Sequence, residues 1–99
     1  MLTITAVIRV KRECEQTMRD QLLLVAENVR KNEPGTMGFY VSQDLENASV
    51  FTTYERFVDQ AAMDQHNNSS TVAQFFEIAK PMLDGAVILV KSREVSAKD

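Results

Sequence analysis

Leu2, Ile4, Ala6, Ile8 and Val10 alternate with Thr3, Thr5, Val7, Arg9 and Lys11. A period of two from Met1 to Lys11 puts the two sets on opposite faces of a half-buried strand. From Glu13 the period lengthens. Met18, Leu22, Val25 and Val29 recur at helical spacing, and Leu23, Leu24 and Ala26 widen the stripe. The spacing predicts a helix from Glu13 to Lys31. It stops before Pro34-Gly35, because a residue ahead of proline is pushed out of helical geometry. Strands are predicted at Gly38 to Gln43, with Phe39, Tyr40 and Val41, and at Val50 to Phe57. Between them Asp44-Leu45-Glu46-Asn47 suits a hairpin turn. Asp59 is placed to cap a short helix, Gln60 to His66. Asn67 to Ser70 interrupts it. Thr71, with Gln74 three residues on, has the spacing of a capping box for a further helix. Its apolar face carries Val72, Phe75, Phe76, Ala79, Met82 and Leu83. Gly85 closes it, and Ala86 to Val90 is predicted as a fourth strand. The polar stretch from Ser92 to Asp99 reads as a loose tail or a short edge extension.

The order β-α-β-β-α-β, with the second helix in two pieces, is the ferredoxin-like α+β plan with a four-stranded antiparallel sheet. One domain is expected over residues 2–92, followed by a polar tail, 93–99. Helices cover only one face of such a sheet. The other, with residues such as Val7, Val41 or Phe51 depending on register, stays partly apolar until a second copy covers it. A chain of 99 residues buries only about 60–65% of its unfolded surface. A homodimer is therefore expected.

Charge and composition narrow the function classes. Eleven Lys and Arg against fourteen Asp and Glu leave a net charge of −3, so no nucleic-acid partner is expected. No apolar run approaches the roughly 18 residues of a membrane span, so no membrane partner is expected. The single cysteine, Cys14, has no intramolecular partner and fits a reducing compartment. Alternation from the first residues differs from a secretory leader, and a cytoplasmic location is expected. Three scattered glycines supply neither a phosphate loop nor a dinucleotide fingerprint. One His and one Cys, without CxxC or HExxH, supply a metal site poorly, and no metal is expected.

The remaining chemistry rests on few polar groups in apolar surroundings. His66 has the one side chain whose ordinary pKa lies near neutrality. Either it takes a proton from an acidic phenol, enol or α-hydroxyketone, or it caps its helix C-terminus as a cation. Glu55 either orients an imidazole or pairs across strands with Arg9 or Arg56. Tyr40 and Tyr54 either donate to a substrate oxygen or stand at an edge with their hydroxyls in water. Five Phe residues, with Met37, Met63 and Met82, either line a pocket for a flat ligand or fill the core. Asn67 to Ser70 either binds a ligand oxygen or satisfies helix-end amides.

Glu33-Pro34-Gly35, Phe39-Tyr40-Val41-Ser42-Gln43-Asp44, Phe51-Thr52-Thr53-Tyr54-Glu55-Arg56-Phe57 and Ala62-Met63-Asp64-Gln65-His66 occur in one order. This order resembles the antibiotic biosynthesis monooxygenase domain family over about Leu2 to Ser92. The resemblance implies a dimeric α+β barrel. It also implies oxidation of a small phenol or quinol by O2, with neither flavin nor metal. A deprotonated, electron-rich aromatic can itself give an electron to O2, so the protein need only bind it, deprotonate it and exclude water. On this reading His66 is base or hydrogen-bond partner and Glu55 orients a neighbour. Phe39, Phe51, Tyr54, Met63 and Phe75 bind substrate.

The chain departs from heme-degrading relatives, having no Trp and no His on its last long helix. A second His that many members carry five residues after the first is Thr71 here. Part of the pattern, Phe39-x-Val41-x-Gln43-Asp44 and Phe51-x-x-Tyr54-Glu55, is similar to the branch that isomerises the phosphorylated autoinducer-2 signal. That alternative needs a cationic phosphate clamp, for which Arg30, Lys31 and Lys80 are the candidates. A third reading is a non-enzymatic dimeric ligand-binding protein.

Overall fold

The computed structural model describes residues 1–98; Asp99, the end of the expected tail, lies outside the described residues. The elements are β1 (Leu2–Arg9), α1 (Glu15–Asn32), β2 (Thr36–Gln43), β3 (Val50–Phe57), α2 (Gln60–Asn67), α3 (Ser70–Ala79), a 3₁₀ turn (Lys80–Met82) and β4 (Ile88–Arg93). The strands form one antiparallel sheet in the order β2-β3-β1-β4. The architecture is the ferredoxin-like α+β fold.

The helix stripe works as its period requires. Met18, Leu22, Val25 and Val29 are buried and pack with Ala6, Ile8, Val10, Phe51, Val72 and Phe75. Leu23 and Leu24 do not widen that stripe; both are exposed. Helix α1 starts two residues later than its period suggests, because Glu13 takes a left-handed conformation with φ 74°. Asp59 caps α2 by accepting from the Ala62 amide at 2.9 Å. The cap of α3 is Ser69 rather than Thr71. The Ser69 hydroxyl accepts from Val72 N at 3.1 Å, which shortens the break between α2 and α3 to Asn68 and Ser69. Phe76, on the expected apolar face of α3, and Ile78, at its border, are partly exposed.

The fourth strand also differs from its expected span. Apolar content points to Ala86 to Val90, yet pairing runs through Lys91, Ser92 and Arg93, opposite Ile4, Thr3 and Leu2. An edge strand exposed along its length accepts polar residues at no desolvation cost. Beyond it, Glu94 N donates to Met1 O, and the Glu94 carboxylate accepts from Arg56.

Register decides which side chains face the helices. On β3, Phe51, Thr53, Glu55 and Phe57 point to the covered side and are buried. Phe39 and Val41 of β2 pack on the same side. Val41 and Phe51 are therefore not on the open face. That face instead carries Val7, Tyr40, Tyr54, Ile88 and Val90, of which the last four are exposed.

Candidate functional site

Three side chains far apart in the chain meet on the covered side of the sheet. His66 lies in the last turn of α2, Glu55 near the end of β3, and Glu33 directly after α1. All three are buried, at 4%, 6% and 5% exposure. His66 Nδ1 is 2.8 Å from Glu33 Oε1, and His66 Nε2 is 3.1 Å from Glu55 Oε1. The ring therefore sits between two carboxylates. A neutral imidazole would turn a lone pair toward one of them, so the arrangement favours a ring with both nitrogens protonated.

Electrostatics point the same way. Burial is the largest single influence on His66 and opposes its charge. The adjoining Glu55 and Glu33 carboxylates, through hydrogen bonding and charge, together outweigh it and hold the imidazole pKa above its ordinary value.

Each carboxylate is anchored in turn. Thr53 Oγ1 donates to Glu55 Oε2 at 2.7 Å. Thr36 Oγ1 donates to Glu33 Oε1 at 2.9 Å, and Asn28 Nδ2 donates to Glu33 Oε2 at 3.2 Å. Phe39 and Phe57 flank the imidazole, with ring centroids 5.6 and 5.5 Å away. Among the described residues, no buried side-chain nitrogen or oxygen is left without a partner.

His66 and Glu55 border a small cavity of about 60 Å³ between the sheet and the helices. Its floor is Ile4, Ala6 and Ile8 of β1 with Thr53 of β3, and its helical wall includes Leu22, Val25, Val72 and Phe75. Phe76 and Leu89 line it while staying 43% and 46% exposed, so they mark an opening between α3 and β4. Among the described residues lining it, Glu55 and His66 have the only ionisable side chains. The mostly apolar walls leave four polar side chains, Thr53, Glu55, His66 and Asn67, to orient a small ligand at its mouth.

The residues singled out from sequence divide. His66, Glu55, Phe39 and Phe75 border the cavity. Tyr54 does not: alternation along β3 turns it to the open face, where its hydroxyl donates to Glu94 Oε1 at 3.2 Å. Phe51 is 1% exposed and belongs to the core beside the cavity. Met63 is buried with Ile4, Phe57 and Ala62 in a separate cluster. The His66 ring faces inward, so a solvent-facing helix cap is not its arrangement. Glu55 meets His66 and Thr53 rather than Arg9 or Arg56.

Glu33 is the residue that sequence reasoning passed over. Its signal was the Glu-Pro-Gly turn, where an acid follows a helix rich in core residues. Glycine matters in that turn because a Cβ on Gly35 would lie 2.6 Å from Ala62 Cβ. The turn thus presses against α2, the helix that carries His66. Among the described residues, no group of three or more His, Cys, Asp or Glu side chains is arranged to hold a metal ion. No helix of the described chain is long and apolar enough to cross a membrane.

The family model for antibiotic biosynthesis monooxygenases matches residues 1–78. No curated protein matches the chain. Solved structures do. A conserved protein from Methanosarcina mazei Go1 shares 27% identity, with a TM-score of 0.86 over 94% of this chain and 91% of that one. The crystal structure of an antibiotic biosynthesis monooxygenase shares 20% identity, TM-score 0.88, over 97% of this chain and 100% of that one. A protein from Mycobacterium tuberculosis shares 14% identity, TM-score 0.90, over 99% and 98%. Likeness at the last two identities speaks for the fold alone.

Proposed function

Since the chain belongs to the antibiotic biosynthesis monooxygenase family, we propose that it oxidises a small phenol or quinol with O2 in the cavity beside His66, without flavin or metal. The observation that carries this reading is the Glu55–His66 pair opening into a mostly apolar cavity in which no other side chain is ionisable. The aromatic ring lies among Phe39, Phe75 and the aliphatic walls, and its hydroxyl meets Glu55. Glu55 keeps a free lone pair after accepting from Thr53 and His66, because a carboxylate offers about four acceptor sites. It takes the phenolic proton while the adjacent imidazolium, held charged, stabilises the anion that forms. The phenolate then gives an electron to O2, and the two radicals join at a ring carbon. Loss of water from the resulting peroxide leaves a quinone, so one oxygen atom of O2 stays on the ring and the other departs as water. The apolar walls keep bulk water from the electron-rich anion.

Two copies joined through the open sheet face complete the reading. That face presents Tyr40, Tyr54, Ile88 and Val90, and light scattering is expected to return twice the chain mass.

Isomerisation of a phosphorylated hydroxyketone has less support. Arg30 and Lys31 pair with Glu27 on the surface, at 2.6 and 3.2 Å, and Lys80 is exposed. No lysine or arginine lies among the described cavity residues to clamp a phosphate.

Oxygen consumption across a panel of small phenols and quinols tests the proposal. At least one is expected to be consumed above the heat-denatured control, with quinone formed in equal amount. Glu55→Gln is expected to lower kcat by about 10²–10⁴-fold, the usual worth of a positioned base. No uptake with any member would sink the oxygenase reading.

A further inference from the structure

We propose that Glu33, which does not itself border the cavity, is the positioning residue that sets the charge and orientation of His66. Glu33 reaches the ring from outside the chamber. Its Oε1 accepts from Nδ1 of His66 and from Thr36 Oγ1, and its Oε2 accepts from Asn28 Nδ2. These three contacts come from α1, β2 and α2, so the carboxylate is immobile relative to all of them. With Nδ1–H committed to Glu33, the opposite nitrogen is aimed at Glu55 and the chamber, the relation by which one ring nitrogen's partner determines what the other presents.

Two carboxylates, not one, hold the second proton on the ring. The groups facing it are Glu33 from the turn after α1, Glu55 from β3, and the uncharged Phe39 and Phe57 from β2 and β3. The described α1, α3 and β4 residues that line the cavity add no ionisable group. Removing the Glu33 charge leaves Glu55 alone against burial. The ring then gives up its proton at lower pH, and Nε2 meets Glu55 as a lone pair in part of the population. The packing of Gly35 on Ala62 keeps this link short, because turn and helix have no slack between them. The role in catalysis rests on the oxygenase reading; the control of ring charge does not.

His66 is the single histidine of the chain, so its ring signals in ¹H–¹⁵N long-range correlation spectra need no assignment by mutation. In the wild-type protein at neutral pH both ring nitrogens are expected at imidazolium positions. In Glu33→Gln the titration midpoint is expected to fall by at least about one pH unit, a tenfold loss of proton affinity. Glu33→Asp is expected to restore part of that shift. Glu27→Gln, which removes a surface carboxylate from α1, is expected to leave the midpoint unmoved. If Glu33→Gln does not fold, Glu33→Asp, which keeps the charge but shortens its reach to Nδ1, is itself the test and is expected to lower the midpoint by a smaller amount. With an oxidised substrate in hand, Glu33→Gln is expected to lower kcat, leave KM nearly unchanged and move the pH profile with the NMR midpoint. A folded Glu33→Gln protein titrating like wild type overturns the proposal. Failure of every substrate overturns the oxygenase reading and leaves the NMR result to decide the role of Glu33.

Discussion

The two faces of the sheet each hold a carboxylate–cation cluster, and the two clusters differ in depth of burial. On the open face, Arg56 grips Glu94 through Nε and Nη2 at 2.6 and 3.1 Å, and Tyr54 donates to the same carboxylate. The bonds to Arg56 hold the Glu94 carboxyl below its usual pKa, and lesser desolvation and the neighbouring Glu94 charge raise the Tyr54 hydroxyl. Water reaches this cluster only in part, the Arg56 and Glu94 side chains being 28% and 11% exposed, and salt screens it more than a fully enclosed pair. On the covered face, the Glu33, His66 and Glu55 side chains are 3%, 5% and 8% exposed. Their desolvation has already been suffered on folding, and each partner is what keeps the next tolerable. Short ionic contacts alone do not distinguish the clusters; burial and an adjoining cavity do.

The sharpest way to break this contrast is to remove the central cation. His66→Ala is expected to lower stability by about 3–5 kcal/mol, because two buried carboxylates then face each other without compensation. It also ends any proton handling. Urea denaturation at neutral pH measures the first effect; a midpoint equal to wild type would place the covered cluster in the same class as the open one.

Gly35→Ala probes the geometry rather than the charge. The added methyl meets Ala62 Cβ at 2.6 Å, neither of them a flexible side-chain end. A loss of about 1–3 kcal/mol is expected from the forced separation of turn and helix. The His66 ring signals are expected to shift, as Glu33 withdraws from Nδ1.

A pH series sharpens the comparison without mutation. The folded pKa of His66 lies above its ordinary 6.5. Its charged partnership therefore stabilises the protein fully below that ordinary value. The contribution is lost as pH rises through the folded value. Glu94 runs the other way: its depressed pKa gives stabilisation present above the ordinary carboxylate value and lost as pH falls through the folded one. Urea midpoints measured from acid to alkaline pH are expected to decline on the alkaline side in wild type and not in a folded His66→Gln variant.

The smallest effect is expected from Arg56→Gln. The open-face pair is partly buried but sits at the sheet edge, where an unpaired Glu94 can turn to water, so its loss moves the urea midpoint less than the other changes, by an amount that shrinks as salt is added. Oxygen consumption per folded active site is expected to be unchanged. A large loss of activity would mean that the two faces are coupled.

Much of the molecule was legible in the residues. Strand β1 and the buried stripe of α1 follow directly from periods of two and about 3.6, and Asp59 behaves as a local cap. Where local signals competed, tertiary contacts chose. Ser69 won over Thr71 as a cap because its hydroxyl reaches the Val72 amide. Polar Lys91 to Arg93 became strand because β1 offered unpaired backbone opposite them. The site was half legible. His66 stood out by its pKa and Glu55 by its neighbours, yet Tyr54 and Glu55 looked equally suited to a pocket until register turned them to opposite faces.

The sequence by itself determined the order of elements, the helix and strand periods and the shortage of ionisable groups suited to catalysis, since these depend on residues close along the chain. Only the tertiary structure decided that Glu33, 33 residues from His66, is its partner. Such a contact depends on how the turn after α1 packs against α2, and helical or strand periodicity carries no information across that distance. A chamber beside the ring is likewise a property of the gap between layers, set by how Leu22, Val25, Phe39 and Phe75 fill the space rather than by any of them alone.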